Sequence, residues 1–417
     1  MLIDNIRKNR YIMQIMTLMF GTLMAQIIMF ISIPLLTRLY TPSEFGFYAT
    51  FLAISSLIGS VSSLKYDQAI MLPKSNRDAE ALLFLSTLLT FFVTIFSILI
   101  ITIFYDYILS YFGGSIMVVY LLPLGIFLIG IVQIFNAYAT RLQLYKKLSI
   151  VRISNAFSLV SIQGFSRYLF NLDGLIVGKI FSSIISLGLL LRFILKKQTF
   201  QLASLSKRRV KLNAKRYHHF PKYQSFTVFL GSLSQNMPIL FFGSLYSPEV
   251  AGFYALTLRV LYAPIGLIGK STKEVYYQKA SKMFANGESL FSLYFKTTMG
   301  LFKLFIIPFF VIFFFGEEIF SFLFESHWKE SGVYAEILIF WFLIAFINLP
   351  SIATFSILSL QHIQLRLEIF SLIFRAISIY VGFYFFQSEL VSIGLYSLTS
   401  FIFNALIVVY IYLQLKK

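Results

Sequence analysis

The chain has 417 residues and a net charge of +18, yet only 12% of its residues are charged and 58% are hydrophobic. Soluble domains have about a quarter charged residues, so the composition excludes an ordinary soluble protein and predicts a membrane protein. The chain contains no cysteine, and its four histidines lack ligand spacing. Disulfides and thiolate metal sites are therefore excluded, and we predict neither a metal nor a cofactor.

Apolar runs long enough to cross the membrane recur along the whole chain. A helix needs about 20 residues to span roughly 30 Å of hydrocarbon, and we predict about twelve such helices. Their length excludes an outer-membrane barrel, whose strands have about ten alternating residues. The first run is too long for a cleavable signal peptide. The predicted spans are 11–37, 45–64, 79–104, 115–139, 148–168, 172–193, 223–245, 250–269, 297–315, 333–358, 367–386 and 390–413.

Lysine and arginine residues set the predicted orientation. With the N-terminus inside, most of the 35 basic residues lie on the inner side, and Arg38, Arg167 and Lys329 are the three on the outer side. The positive-inside rule then places both termini in the cytoplasm. Because topology accounts for most of the net charge, and no nucleic-acid-binding motif is present, we predict no nucleic-acid partner.

A repeated segment relates the two halves of the chain. LYTPSEFGFYA begins at position 39 and LYSPEVAGFYA at position 245, and their tyrosine, proline and glycine residues match without a gap. Each copy follows the first helix of a run of six, so both halves enter the membrane from the same side. We predict an N-terminal half at 1–195, a basic cytoplasmic linker at 196–222 and a C-terminal half at 223–417.

The predicted fold is an all-α membrane protein with two parallel six-helix bundles around a central cleft, the architecture of alternating-access transporters. Proline bends helices and glycine allows their close approach, so these residues are candidate hinges or turns. Static kinks that packing accommodates are an alternative, above all within the first helix of each half. The candidates are Pro34, Pro42, Gly46, Pro238, Pro248, Gly252 and Pro264.

Two long blocks resemble bacterial polysaccharide-export flippases of the Wzx type. They are SLYSPEVAGFYALTLRVLYAPIGLIGKSTKEVYYQKAS from Ser244 and LLTRLYTPSEFGFYATFLAISSLIGSVSSLKYDQAIMLPKSNRDAEALLFLS from Leu35. The superfamily also contains multidrug exporters and lipid II flippases. The resemblance implies that an undecaprenyl-pyrophosphate-linked oligosaccharide, a unit of O antigen in lipopolysaccharide, capsule or exopolysaccharide, crosses the bacterial inner membrane. Membrane lipids, a polysaccharide polymerase and a chain-length regulator are the other implied partners.

Basic residues within the predicted helices are candidates for binding the pyrophosphate. Arg259 lies about ten residues into the eighth helix, near mid-membrane. In the resembled lipid II flippases, a required arginine precedes a proline by five residues, as Arg259 precedes Pro264. Arg38 is a second candidate, with an ordinary interfacial anchor as the alternative. Arg375 and Lys179 complete the predicted site.

Each of the last two candidates also has a structural alternative. Arg375 could pair with Glu368, seven residues earlier on the same helical face, or contact it through Gln364. Lys179 lies near enough to a helix end to snorkel. The acidic–basic pair of many relatives is not visible in the seventh helix, which contains SQNMPIL, and this difference leaves ion coupling through that helix in doubt.

Two other functions compete with the flippase. A membrane polymerase or ligase for the same lipid-linked sugars typically needs positioned carboxylates or a large outer loop. The longest predicted outer loop is the short segment EEIFSFLFESHWKES, so we predict that the protein is not an enzyme. A drug exporter of the same superfamily would usually carry cations and have carboxylates within the membrane, where this chain has mainly arginine and lysine.

The predicted topology can be tested with reporter fusions. A reporter fused after Phe112 or Trp328 is expected to be periplasmic, and one fused after Arg209 cytoplasmic, because the basic residues cluster on the linker side. Alkaline phosphatase and green fluorescent protein activities measure the two locations. Periplasmic activity of the Arg209 fusion would reverse the assignment.

Overall fold

The computed structural model describes residues 2–170, 173–197 and 206–416, in which all regular structure is helical. This confirms the predicted all-α fold. The helices are α1 (Leu2–Ile31), α2 (Ile33–Leu39), α3 (Pro42–Gly59), α4 (Tyr66–Ala69), α5 (Asn76–Ile103), α6 (Tyr105–Tyr111), α7 (Ile116–Arg141), α8 (Tyr145–Phe170), α9 (Gly174–Lys197), α10 (Lys207–Arg216), α11 (Ser225–Leu245), α12 (Pro248–Pro264), α13 (Lys270–Ala285), α14 (Phe291–Phe324), α15 (Lys329–Ile347), α16 (Leu349–Ile357), α17 (Gln361–Phe386) and α18 (Glu389–Lys416).

Ten helical segments in the described part of the chain are long and apolar enough to cross a membrane. The two other predicted spans correspond to α3 and α12, which have 18 and 17 residues. Both begin at the proline of the repeat, where a missing N–H has no cost. The first predicted span is interrupted at Ser32. Helix α1 ends at Ile31, and α2 begins at Ile33 with Pro34 as its second residue. In contrast, α11 continues through Pro238.

The segment 317–331 is mostly helical, so the predicted loop conformation is wrong, while its location on the outer side stays a prediction. The backbone of α14 is non-helical at Phe315 (φ −131°, ψ 20°), but the helix resumes and ends at Phe324. Phe320 and Phe324 are four residues apart and both are buried. Since residues four apart share a helical face, their burial favours a continued helix over a loop.

The chain forms two compact units. Unit 1 consists of Met1–Tyr40 and Phe47–Met237, and unit 2 of Thr41–Gly46 and Pro238–Lys417. The first turn of α3 therefore belongs to unit 2, and the chain leaves unit 1 within α11 at Pro238. The domain boundaries given above stay predictions, and residues 198–205 of the predicted linker lie outside the described residues.

Within unit 2, the first turns of α3 and α12 cross with their backbones in contact. A Cβ atom at Gly46 would overlap the carbonyl oxygen of Pro248, and one at Gly252 would overlap the carbonyl oxygen of Pro42. The contact is thus reciprocal between the two copies of the repeat. Only glycine permits this approach, as in the small-residue crossings of membrane helices.

Hydroxyl side chains cap both of these helices. In the first copy, the Thr41 hydroxyl accepts the N–H of Glu44 at 3.4 Å, and the Glu44 carboxylate in return accepts the backbone N–H of Thr41 at 2.6 Å. In the second copy, the Ser247 hydroxyl accepts the N–H of Val250 at 3.2 Å. These caps satisfy N–H groups that would otherwise lack partners, and they explain why threonine and serine match in the repeat.

The matched tyrosines of the repeat anchor each first helix within its own half, Tyr40 to the fifth membrane helix and Tyr246 to the start of the sixth. In unit 1, the Tyr40 hydroxyl donates a hydrogen bond to the carbonyl of Gln163 in α8 at 2.7 Å. In unit 2, the Tyr246 hydroxyl lies 3.0 Å from the carbonyl of Ser388 and 2.6 Å from the hydroxyl of Ser392 in α18. The repeat therefore conserves both a backbone crossing and an anchoring hydrogen bond.

We predict that Gly46→Val destabilises the protein, because its Cβ meets a backbone carbonyl that cannot rotate away. Overpacking costs about 1–3 kcal/mol or more, so folded yield and thermal stability in detergent should fall clearly. Gly188→Val in α9 is the matched control, since a Cβ there meets nothing within 4 Å. Equal stability of the two variants would contradict the observed crossing.

Candidate functional site

Arg375 lies in an aromatic cluster formed by three helices of unit 2. From α17, its guanidinium lies over the Trp341 ring of α15 at 5.5 Å and the Tyr396 ring of α18 at 5.8 Å. The two rings meet edge to face at 5.4 Å. Because the faces of aromatic rings attract cations, this arrangement fixes the position of the guanidinium without neutralising its charge.

No acidic side chain in the described part of the chain pairs with Arg375. Its Nε atom is buried and makes no hydrogen bond. The Glu368 carboxylate accepts a hydrogen bond from Gln364 at 2.9 Å on an exposed surface, so the predicted alternative of a Glu368–Arg375 pair is wrong. A buried polar group without a partner is costly, so the position of this guanidinium needs an explanation.

The aromatic cluster extends to α12, the helix that carries Arg259. Tyr262, one turn after Arg259, meets Trp341 edge to face at 6.4 Å. Its side chain is 43% exposed, so the cluster reaches the surface of unit 2. Arg259 itself is half-buried. Helix α12 ends at Pro264, and a π-helical turn follows at Ile265–Gly269. The side chain of Pro264 lies outside the described residues. Such turns are frequent at functional sites.

The other two predicted cations lie in unit 1. Lys179 is half-buried, five residues after the start of α9, and its carbonyl accepts a hydrogen bond from Ser182. Arg38 is exposed in the last turn of α2. Nearby, the Arg167 guanidinium lies over the ring of Tyr40 at 5.3 Å, a contact that the sequence analysis missed. Of the four predicted cations, Arg375 is thus linked to the helix of Arg259 through Trp341, which contacts both Arg375 and Tyr262.

A buried charged network in unit 1 was also missed. The Asp67 carboxylate accepts hydrogen bonds from the Ser63 hydroxyl and from Gln133 Nε2 (2.9 Å), and Lys65 Nζ lies 3.7 Å away. The Lys65 and Asp67 side chains are only 5% and 3% exposed. Leu64 and Lys65 both have positive φ angles (48° and 58°), which are uncommon outside glycine. The two residues with positive φ angles thus lie directly before and within the buried charge pair.

A second missed carboxylate lies beside a cavity in unit 2. One oxygen of Glu336 in α15 accepts the backbone N–H of Glu317 at 2.9 Å, just after the break of α14 at Phe315. Interrupting a helix frees N–H groups, which explains this contact. Glu336 borders an apolar cavity of about 710 Å³. The other residues of its wall are Phe313, Phe314, Ile337, Phe340, Gly394, Ser397, Leu398 and Phe401.

Most of the polar amides within the helices contact other helices. Asn155 Nδ2 in α8 donates to the Ser186 hydroxyl in α9 at 2.7 Å. Gln163 Nε2 donates to the carbonyl of Leu175 at 2.9 Å, and Asn348 Nδ2 to the side chain of Asn404 at 2.8 Å. Such bonds join membrane helices, and we assign no sugar-binding role to these amides.

Comparisons with known proteins give both a family and a fold. The model of a family described as polysaccharide biosynthesis protein matches residues 35–333. A search of curated proteins gives no significant match. An inward-facing multidrug resistance MATE family transporter of the MOP superfamily is similar at a TM-score of 0.65 and 12% identity, over 95% of this chain and 94% of that one.

Two further solved structures have the same fold. A MOP superfamily transporter from Pyrococcus furiosus, described as having a binding pocket of reverse polarity, is similar at a TM-score of 0.61 and 13% identity, over 97% of this chain and 95% of that one. An outward-facing multidrug resistance MATE family transporter is similar at a TM-score of 0.57 and 16% identity, over 96% of this chain and 93% of that one. The chain thus has the fold of MOP superfamily transporters.

We predict that Asp67→Asn destabilises unit 1, because it leaves the buried Lys65 ammonium without its carboxylate. Breaking a buried pair costs about 3–5 kcal/mol, which thermal unfolding of the purified protein would measure. Asp106→Asn, at an exposed position of α6, is the control and should be neutral. An unchanged unfolding temperature for Asp67→Asn would show that the network contributes little.

Proposed function

Because the chain belongs to the polysaccharide biosynthesis protein family, we propose that it is a flippase for undecaprenyl-pyrophosphate-linked oligosaccharides in the bacterial inner membrane. Family membership confirms the resemblance given by the two sequence blocks around the repeat. The proposed substrate moves from the cytoplasmic to the periplasmic leaflet by alternating access. The observation that carries the proposal is the unpaired Arg375 guanidinium within its aromatic cluster.

The chemistry of this cluster suits the head group of the proposed substrate. A pyrophosphate is anionic, and a guanidinium offers it parallel N–H donors with a fixed geometry. The ring contacts with Trp341 and Tyr396 orient the Arg375 guanidinium but do not neutralise its positive charge. We assign the first pyrophosphate contact to Arg375 and the second to Arg259. Lys179 and Arg38 in unit 1 are proposed to contact the head group at other stages of transport.

The polyprenyl tail needs no polar path, because it can remain in the lipid while the head group crosses. Exposed aromatic surface such as that of Tyr262 offers faces on which sugar rings can stack. In this proposal the protein moves its substrate without making or breaking covalent bonds. A polymerase and a chain-length regulator would then act on the product at the periplasmic side.

Glu336 favours a second candidate function, export of lipophilic cations. Its carboxylate borders a cavity with phenylalanine walls, and no lysine or arginine pairs with it among the described residues. A carboxylate and aromatic faces are the groups that bind organic cations. Under this alternative, Glu336→Gln abolishes resistance to cationic drugs and leaves surface polysaccharide unchanged.

Export in a deletion strain tests the flippase proposal. Deletion should trap lipid-linked oligosaccharide on the cytoplasmic leaflet with its synthesis intact, and the wild-type gene should restore surface polysaccharide. Charge-assisted contacts are worth about 1.5–3 kcal/mol, so Arg375→Gln and Arg259→Ala should lower transport about tenfold to a hundredfold. Arg259→Lys should retain part of the activity because its charge remains.

Lys303→Gln is the control, since it removes an exposed cation from α14. Surface polysaccharide is measured together with the amount of folded protein in the membrane, so that loss of binding is separated from loss of folding. Wild-type export by a well-folded Arg375→Gln variant would contradict the proposed site. Normal surface polysaccharide in a deletion strain without a paralogue would contradict the function itself.

A further inference from the structure

In the described part of the chain, the basic helix α10 contacts the rest of unit 1 through one face. The Arg209 guanidinium lies 3.7 Å from the Asp78 carboxylate in α5, and Asn213 Nδ2 donates to the same carboxylate at 3.2 Å. The Tyr66 hydroxyl donates a hydrogen bond to the carbonyl of Ala214 at 2.9 Å. These contacts fix both the position and the rotation of α10 about its own axis.

The attachment places α10 at the end of a membrane-spanning helix. Asp78 lies in the first turn of α5, whose apolar run begins at Ala79. The predicted topology puts this end of α5 at the cytoplasmic surface. With this predicted topology, α10 is expected at the level of the lipid head groups, where a cation and a short apolar side chain can act together.

The opposite face of α10 is exposed and strongly positive. Successive helical residues are 100° apart, so side chains at spacings of three and four share a face. The helix contains six basic residues and no acidic residue. Its exposed side chains are those of Lys207, Arg208, Lys211, Leu212, Lys215 and Arg216.

We propose that this exposed face of α10 binds the anionic head groups of phospholipids in the cytoplasmic leaflet. Basic residues at a membrane surface attract anionic lipids, and lysine stems can lie along apolar surface while the ammonium reaches a phosphate. Leu212 is 59% exposed among these cations, and Tyr223, seven residues beyond the end of α10, is 58% exposed. Apolar side chains beside lysines favour a lipid surface over a nucleic acid or a soluble anion.

The positive-inside rule alone does not account for these features. It requires basic residues on the cytoplasmic side but not a helix whose rotation is fixed by hydrogen bonds. Helix α13, which is also predicted to be cytoplasmic, mixes Lys279 and Lys282 with Glu274. In contrast, α10 contains no acidic residue, its attached side contacts Asp78 of α5, and the charged side chains on its exposed face are all basic.

The full-length protein in detergent, titrated with phosphatidylglycerol or phosphatidylcholine, tests the proposal by native mass spectrometry. The wild-type protein should retain phosphatidylglycerol in preference to phosphatidylcholine. The triple variant Lys207→Gln, Lys211→Gln, Lys215→Gln should lose this preference, because each removed charge should lower the affinity for phosphatidylglycerol about fivefold. The control variant Lys279→Gln, Lys282→Gln, Lys296→Gln removes three exposed cations elsewhere and should keep it.

Each outcome decides the proposal. Loss of preference in the α10 variant alone supports it, whereas equal loss in both variants shows that only net charge matters and overturns it. An unchanged preference in the α10 variant overturns it as well. If wild type does not prefer phosphatidylglycerol, the proposal fails, and inorganic pyrophosphate that binds to wild type but not to the α10 variant then assigns the face to soluble anions. Thermal unfolding of all variants verifies that they are folded.

Discussion

The crossing of α3 and α12 is a close backbone contact in unit 2, and a buried aromatic cluster and the candidate site lie along the same helices. Gly46 and Gly252 each meet the carbonyl of the other helix, so the distance between the two axes has little freedom. Trp328, which is fully buried, packs edge to face against Phe45 (4.9 Å) and Phe253 (6.0 Å) beside this crossing. Helix α12 leads from there to Arg259 and Tyr262, so the crossing also positions the candidate site.

The fold contains two kinds of buried charge, one paired with an opposite charge and one not. In unit 1, Lys65 and Asp67 are buried together and share hydrogen-bonding neighbours, so their charges are compensated within the protein. In unit 2, Arg375 is held by aromatic rings and has no acid beside it. A compensated pair has a structural role, because ligand binding would have to break it. An uncompensated cation gains most when an anion arrives.

Much of the fold was predictable from the sequence, because membrane helices need long apolar runs and these are visible locally. The repeat also indicated the parallel halves, and Arg375 was found as a charge within a helix. Its ring partners were not predictable, since Trp341 and Tyr396 come from other helices and are two of many aromatic residues. The helical end of α14 was missed because its polar residues outweighed the spacing of Phe320 and Phe324.

The reciprocal form of the glycine crossing bears on how such a chain could arise. In a two-fold symmetric dimer, residue i of one subunit contacts residue j of the other, and j contacts i in return. Gly46 with Pro248 and Gly252 with Pro42 have this relation within one polypeptide. A symmetric dimer of identical halves would need a single encoded glycine to make both contacts. In this chain the two glycines are encoded separately, so the crossing depends on two codons that can mutate independently.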